Sequence, residues 1–178
     1  AAIIKAALAV RSRRPAWKIV PEIMVPLVGE EKELAFVKSV IDQTAKKIIK
    51  AAGSDMTYKV GTMIEIPRAA LTADAIANQA EFFSFGTNDL TQYTLACDRQ
   101  NPDIEPFIDT HHEAILRLIE MSAKNAHANG AWIGICGELA ADTTLTETFL
   151  RMGIDELSVS PAFVLKVRDA VRNVDLRK

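Results

Sequence analysis

The sequence predicts an α/β protein built on a parallel sheet with helices on its outside, and three observations carry that reading. Short apolar, β-branched runs recur along the chain, each is followed by a segment of helical periodicity, and each crossover is long enough to return the chain to a parallel partner. Five strand–helix units are expected. Two architectures fit, a doubly wound sheet and a closed barrel. No Gly-x-Gly-x-x-Gly opens any helix, which removes the strongest sequence sign of a dinucleotide fold. Units of about 35 residues would make eight of them a (βα)₈ barrel of about 250 residues with modest insertions. The barrel is therefore favoured, with this chain supplying its last five units.

The elements follow in order. Ala1-Ala-Ile-Ile-Lys-Ala-Ala-Leu-Ala-Val10 lacks an initiator Met and reads as the middle of an amphipathic helix, as expected for a piece of a longer chain. Glu22 to Val28, bounded by Pro21 and Gly29, suits a strand buried on both faces. From Glu30 to Ala52 the residues Leu34, Val37, Ile41, Ala45 and Ile48 fall at spacings of three and four, which makes a helix, with Gly53 placed to end it. Tyr58 to Ile66 is the second strand, and Pro67 can open a helix to about Gln79. Phe82 to Phe85 is the third, followed by Gly86-Thr-Asn-Asp89 and a helical Leu90 to Ala96. Thr110 and Glu113 have the spacing of a capping box ahead of a long helix closed by Gly130. Trp132 to Cys136 is the fourth strand, with a helix from Thr143 to Met152 ended by Gly153. Glu156 to Ser160 is the fifth, and Pro161 opens a final helix to about Val174.

Composition narrows the function classes. With 21 Lys+Arg against 23 Asp+Glu, a net charge of −2, there is no electrostatic argument for nucleic acid or an anionic membrane. An apolar content of 49% with 25% charged residues suits one globular core. Charged or amide residues interrupt every apolar stretch before the ~18 residues a spanning helix needs, so no membrane segment is expected. Two Cys and no secretory signal pattern leave a reduced, cytoplasmic setting as the expectation.

In either architecture ligands bind at the C-terminal ends of the strands, and that filter selects few residues. Glu65 ends the second strand in an apolar context where a carboxylate is costly unless paired or metal-bound. Asn88 and Asp89 follow the third strand, Arg99 lies beyond the next helix, and Cys136 ends the fourth. Neighbouring parallel strands lie ~4.8 Å apart, so Glu65 and Asp89 can reach one cation. Hard oxygen ligands suit Mg²⁺ or Mn²⁺ rather than zinc. Equally, Glu65 could pair with a base while Asn88 or Asp89 caps a helix. Gly86-Thr-Asn-Asp89 could present N–H donors to an anion, phosphate or carboxylate, although any strand-to-helix turn is built this way. Cys136, between Gly134 and Gly137, could move a proton, with Glu138 beside it to tune it, against the commoner reading of an inert buried thiol. Cys97 reads as structural, and His111, His112 and His127 as solvated or capping residues.

At these residues the sequence resembles the phosphoenolpyruvate (PEP)-utilising enzymes: pyruvate phosphate dikinase, PEP synthase and Enzyme I of the bacterial phosphotransferase system. The resemblance rests on Pro21 to Val28, Gly61 to Leu71, Phe82 to Gln92 and Gly134 to Glu138, in family order over nearly the whole chain. The first half is closer to the dikinase. Gln92 to Arg99, Gly137 to Ala140 and Met152 to Ser158 are closer to Enzyme I. What the resemblance implies is a (βα)₈ TIM barrel of the PEP/pyruvate type, present as its last five units, with residues 1–178 forming its C-terminal part. It implies Glu65 and Asp89 as Mg²⁺ ligands and as part of the substrate site. Gly86, Thr87, Asn88 and Asp89 would hold the substrate phosphate, Arg99 would neutralise it, and Cys136 would protonate the enolate of pyruvate. The phosphohistidine domain of the same enzyme and the first barrel units would lie upstream, with a homodimer in the complete enzyme and the fragment alone inactive. Rival readings are a non-catalytic PEP-binding or sensing module and an aldolase-type Mg²⁺ barrel.

Overall fold

The computed structural model describes residues 1–177. Strands β1 (Glu22–Val25), β2 (Lys59–Ile64), β3 (Phe82–Gly86), β4 (Trp132–Cys136) and β5 (Glu156–Ser158) form one parallel sheet in the order of the sequence. That order decides between the two architectures. A doubly wound sheet reverses its strand order at a switch point, whereas a chain that always steps to the next strand winds a barrel. The five units form an arc with β1 and β5 as its edges.

The helices are α1 (Ala2–Arg13), α2 (Glu31–Ala51), α3 (Pro67–Leu71), α4 (Ala73–Ala77), α5 (Thr87–Leu95), α6 (Glu113–Ala128), α7 (Glu138–Ala141), α8 (Thr146–Arg151) and α9 (Val164–Asn173). Several differ from expectation for local reasons. The helix expected over Pro67 to Gln79 breaks at Thr72, whose hydroxyl bonds back to the Arg68 carbonyl at 2.9 Å and competes with the helical ladder. The helix expected over Thr143 to Met152 forms as α8 alone and starts late, after a turn in which the Asp142 carboxylate accepts both the N–H (2.9 Å) and the hydroxyl (2.7 Å) of Thr144, and the short α7 before it was not expected. The capping box of Thr110 and Glu113 does not form: α6 is capped by His112, whose Nδ1 accepts the Ala114 N–H at 3.1 Å. The final helix opens as a 3₁₀ turn at Pro161–Phe163 before α9 begins.

α2, α6 and α8 end at the glycines expected to end them. Gly53, at φ 58°, shows the motif: its N–H bonds the Lys50 carbonyl and the next N–H bonds that of Ile49, each at 3.1 Å. α5 makes a similar left-handed reversal with an alanine, Ala96, at φ 53°.

Alternation along the strands sorts their residues onto two faces. The convex face, covered by helices, carries Ile64, Phe83, Phe85, Ile133 and Ile135, all fully buried with Ile76, Ile115, Ile119 and Phe149 in the main core. A smaller cluster of Ile4, Ala45 and Met56 joins α1 to α2. The concave face carries Met24, Lys59, Gly61, Met63, Phe82, Ser84, Trp132, Gly134, Cys136 and Glu156. Phe82 stacks on Trp132 with ring centroids 5.1 Å apart, and Lys59 pairs with Glu22 at 3.0 Å.

Candidate active site at the C-terminal ends of the strands

Glu65 is the residue after β2 and sits on the concave side, 3% exposed. Its Oε1 accepts the Leu27 N–H at 2.8 Å. Leu27 lies in the turn after β1 with a left-handed φ of 57°, a conformation that costs a non-glycine residue roughly 1–3 kcal/mol and marks an over-determined position. Burial pushes the Glu65 carboxyl above its ordinary range; the Leu27 N–H opposes this, the nearby Asp89 carboxylate adds to it, and Arg99 opposes it.

Gly86 ends β3 beside Glu65. A Cβ there would lie 2.5 Å from Glu65 Oε2 and 2.7 Å from the Met63 sulfur, so the carboxylate occupies the space that any larger residue would fill. Thr87, fully buried, starts α5, and its hydroxyl donates to the Cys136 carbonyl at 3.4 Å. Asp89 lies in the first turn of α5, where the helix dipole favours a carboxylate. Its Oδ1 is 3.2 Å from a guanidinium nitrogen of Arg99. Asn88 and Arg99 line a cleft of about 430 Å³ together with Thr91, Gln92 and Glu138. Cys136 ends β4 in register with Gly86, half-buried and with a free thiol. Thus Glu65, Gly86–Asp89, Arg99 and Cys136 all lie along one edge of the sheet.

Sequence reasoning missed Leu27, whose turn gives no signal because leucine is not a left-handed residue type. It also missed Gln92, whose side chain accepts the Arg99 N–H at 3.2 Å. Cys97, read as structural, and the histidines, read as solvated or capping, make contacts of their own. The Cys97 thiol lies 3.3 Å from the Leu95 carbonyl, His111 pairs with Asp142 and His127 with Asp155, each at 2.8 Å.

Among the described residues no three His, Cys, Asp or Glu side chains form a metal cluster. Glu65 and Asp89 nevertheless fit Mg²⁺, which is held through one or two carboxylates while water and substrate phosphate complete its shell. A buried carboxyl raised further by a second carboxylate is a pair that a cation would relieve.

Among curated proteins, the chain is 46% identical over 177 residues to the pyruvate, phosphate dikinase of Clostridium symbiosum, covering 90% of this chain and 20% of that one. It is 42% identical over 158 residues to the phosphoenolpyruvate-protein phosphotransferase of Streptococcus equinus, covering 88% and 27%. The chain thus spans about a fifth to a quarter of the length of these relatives. Solved structures share the fold alone. The protein CitE of Mycobacterium tuberculosis, in complex with magnesium and acetate, superposes with a TM-score of 0.57 at 17% identity over 95% of this chain and 65% of its own. Pyruvate kinase from Pyrobaculum aerophilum gives 0.55 at 16% over 97% and 39%. Residues 2–176 match the family described as PEP-utilising enzyme, PEP-binding domain. The chain therefore belongs to the PEP-utilising enzymes, as their C-terminal PEP-binding domain, and its arc is part of a TIM barrel of the PEP/pyruvate type.

Proposed function

We propose that this chain is the PEP-binding part of a Mg²⁺-dependent phosphotransferase that moves a phosphoryl group between PEP and a histidine on another domain of the same enzyme. Residues 1–178 supply the last five units of the barrel. The upstream units and the phosphohistidine domain belong to the longer protein, a cytoplasmic homodimer. The observation that carries the reading is the convergence of buried Glu65 with the Asp89–Arg99 pair at adjacent strand ends. Glu65 and Asp89 would hold Mg²⁺, which when bound supplies positive charge beside the substrate oxygens.

Each protein group has a task. The turn Gly86–Asp89 receives the phosphate at the start of α5, where helix N–H groups and the dipole favour an anion. Arg99, paired with Asp89, neutralises charge on the phosphate as the P–O bond breaks. As the phosphoryl group leaves for the histidine nitrogen, the enolate of pyruvate remains. The Cys136 thiol gives its proton to the enolate methylene carbon, and pyruvate and a thiolate result. In the reverse direction the thiolate removes that proton.

Titrating PEP binding to the full-length enzyme with Mg²⁺ tests the reading. Wild type should gain affinity with the cation, while Glu65→Gln and Asp89→Asn should lose most of that gain. Metal-dependent binding retained in both variants would overturn the assignment.

A further inference from the structure

We propose that Gln92 is a positioning residue for Arg99. This rests on the reading of Arg99 given above and goes beyond it by naming what holds that side chain in place. α5 ends in the left-handed reversal at Ala96, and the main-chain carbonyl of Gln92 accepts the N–H of Ala96 and, at 3.0 Å, that of Cys97. The side chain of the same residue spans the turn, and its Oε1 accepts the Arg99 N–H at 3.2 Å. A backbone N–H can only donate, so the amide oxygen and not the nitrogen has to face it. One residue therefore fixes both ends of the segment 96–99.

Among the described residues, the next main-chain N–H groups bond within the loop. Gln100 N–H bonds Asp98 Oδ1 at 2.9 Å, Asn101 N–H bonds the Asp98 carbonyl at 3.0 Å, and Asp103 N–H bonds Asn101 Oδ1 at 3.0 Å. Among the described residues, the Gln92–Arg99 bond is the one hydrogen bond from the main chain of residues 98–101 to α5. From the position it fixes, Arg99 reaches Asp89 at 3.2 Å. Arginine carries much rotamer freedom, and an unanchored Cα would add the freedom of the loop, which ligand binding would then have to remove. Gln92 removes it beforehand.

The test uses the full-length enzyme with PEP as the probe and compares Gln92→Leu, which keeps the size and loses the acceptor, with Gln92→Glu, which keeps an acceptor oxygen. Losing one hydrogen bond that acts through binding should raise the KM for PEP about tenfold in Gln92→Leu, with kcat within about twofold. Gln92→Glu should stay within about threefold of wild type on both. Because Gln92 acts through Arg99, Gln92→Leu should add nothing in an Arg99→Ala background. An additive loss there, or an unchanged KM in Gln92→Leu, overturns the proposal. Hydrogen exchange of the Arg99 amide separates the two readings. It should be slow in wild type and in Gln92→Glu and fast in Gln92→Leu, and equal exchange in wild type and Gln92→Leu overturns the positioning role. An unchanged KM in Arg99→Ala instead overturns the phosphate role of Arg99 itself.

Discussion

On the helix-covered face of the sheet, Ile64, Phe83, Phe85, Ile133 and Ile135 are fully buried, whereas alternate positions of the same strands carry Lys59, Met63, Ser84, Cys136 and Glu156, with glycine at 61, 86 and 134. The convex face is closed by helices over β2 to β4, where its residues are fully buried. The concave face mixes charge and small residues with the stacked Phe82–Trp132 pair, and it carries the candidate chemistry at its upper edge. Cohesion and chemistry are thus divided between the odd and even residues of one strand. Substitutions one residue apart should consequently differ in kind.

The largest contrast is expected at neighbouring positions of β3. Phe83→Ala should destabilise by roughly 3–5 kcal/mol, the usual loss for a fully buried phenylalanine. Ser84→Ala, facing the other way, should stay within about 0.5 kcal/mol. Denaturant unfolding measures both, and a Ser84→Ala loss comparable to that of Phe83→Ala would break the division. Cys136→Ala tests the concave face from the side of chemistry. In the full-length enzyme, turnover should fall by roughly 10²-fold or more, as for loss of a general acid, while PEP affinity stays within a few-fold. Near-normal turnover would return Cys136 to the inert thiols.

Glu65 sharpens the comparison because it is buried yet belongs to the concave face. Its folded-state pKa is raised above the ordinary value of 4.5, by burial first and by Asp89. Its contribution to stability is therefore fully present below that value, where both states are protonated, and is lost as pH rises through the folded pKa. Without divalent cations, Glu65→Gln should melt higher than wild type at pH 7, with the two curves converging near pH ~4. Thermal melts that run parallel over this range would contradict the burial argument. The smallest effect belongs to the end of α5. Ala96→Gly should gain up to about 1 kcal/mol, since glycine relieves the left-handed strain but adds freedom to the unfolded chain. Gly53→Ala should lose about as much at the end of α2, and urea midpoints would resolve both.

The strand centres were legible because runs such as Phe82 to Phe85 and Trp132 to Cys136 are apolar, β-branched or aromatic, and bounded by glycine or polar turns. The strand-end filter likewise pointed to Glu65, Gly86–Asp89 and Cys136, because in a parallel sheet one edge holds every C-terminal end. Arg99 was less accessible to that filter, since it reaches Asp89 from beyond a helix and a left-handed reversal. The helix break at Thr72 and the late start of α8 after Asp142 arise from side chains bonding to nearby backbone, which periodicity does not register. His112, read as a solvated or capping residue, does cap α6, through a local bond to the Ala114 N–H. Leu27 is an atypical residue type for a left-handed position, and its N–H bonds Glu65 across 38 residues, a tertiary contact that local sequence does not encode.

The bond from Leu27 to Glu65 joins two different βα units, and one of them is the edge of the arc: β1 pairs with β2 on one side only. Fraying of β1 withdraws the donor and leaves a buried carboxylate with one partner fewer. The seating of Glu65 is thus tied, through one hydrogen bond, to the seating of the turn after β1. Whatever seats β1 firmly also seats Glu65, so the amide of Leu27 serves as an internal gauge of margin closure, readable by its chemical shift before any turnover is measured.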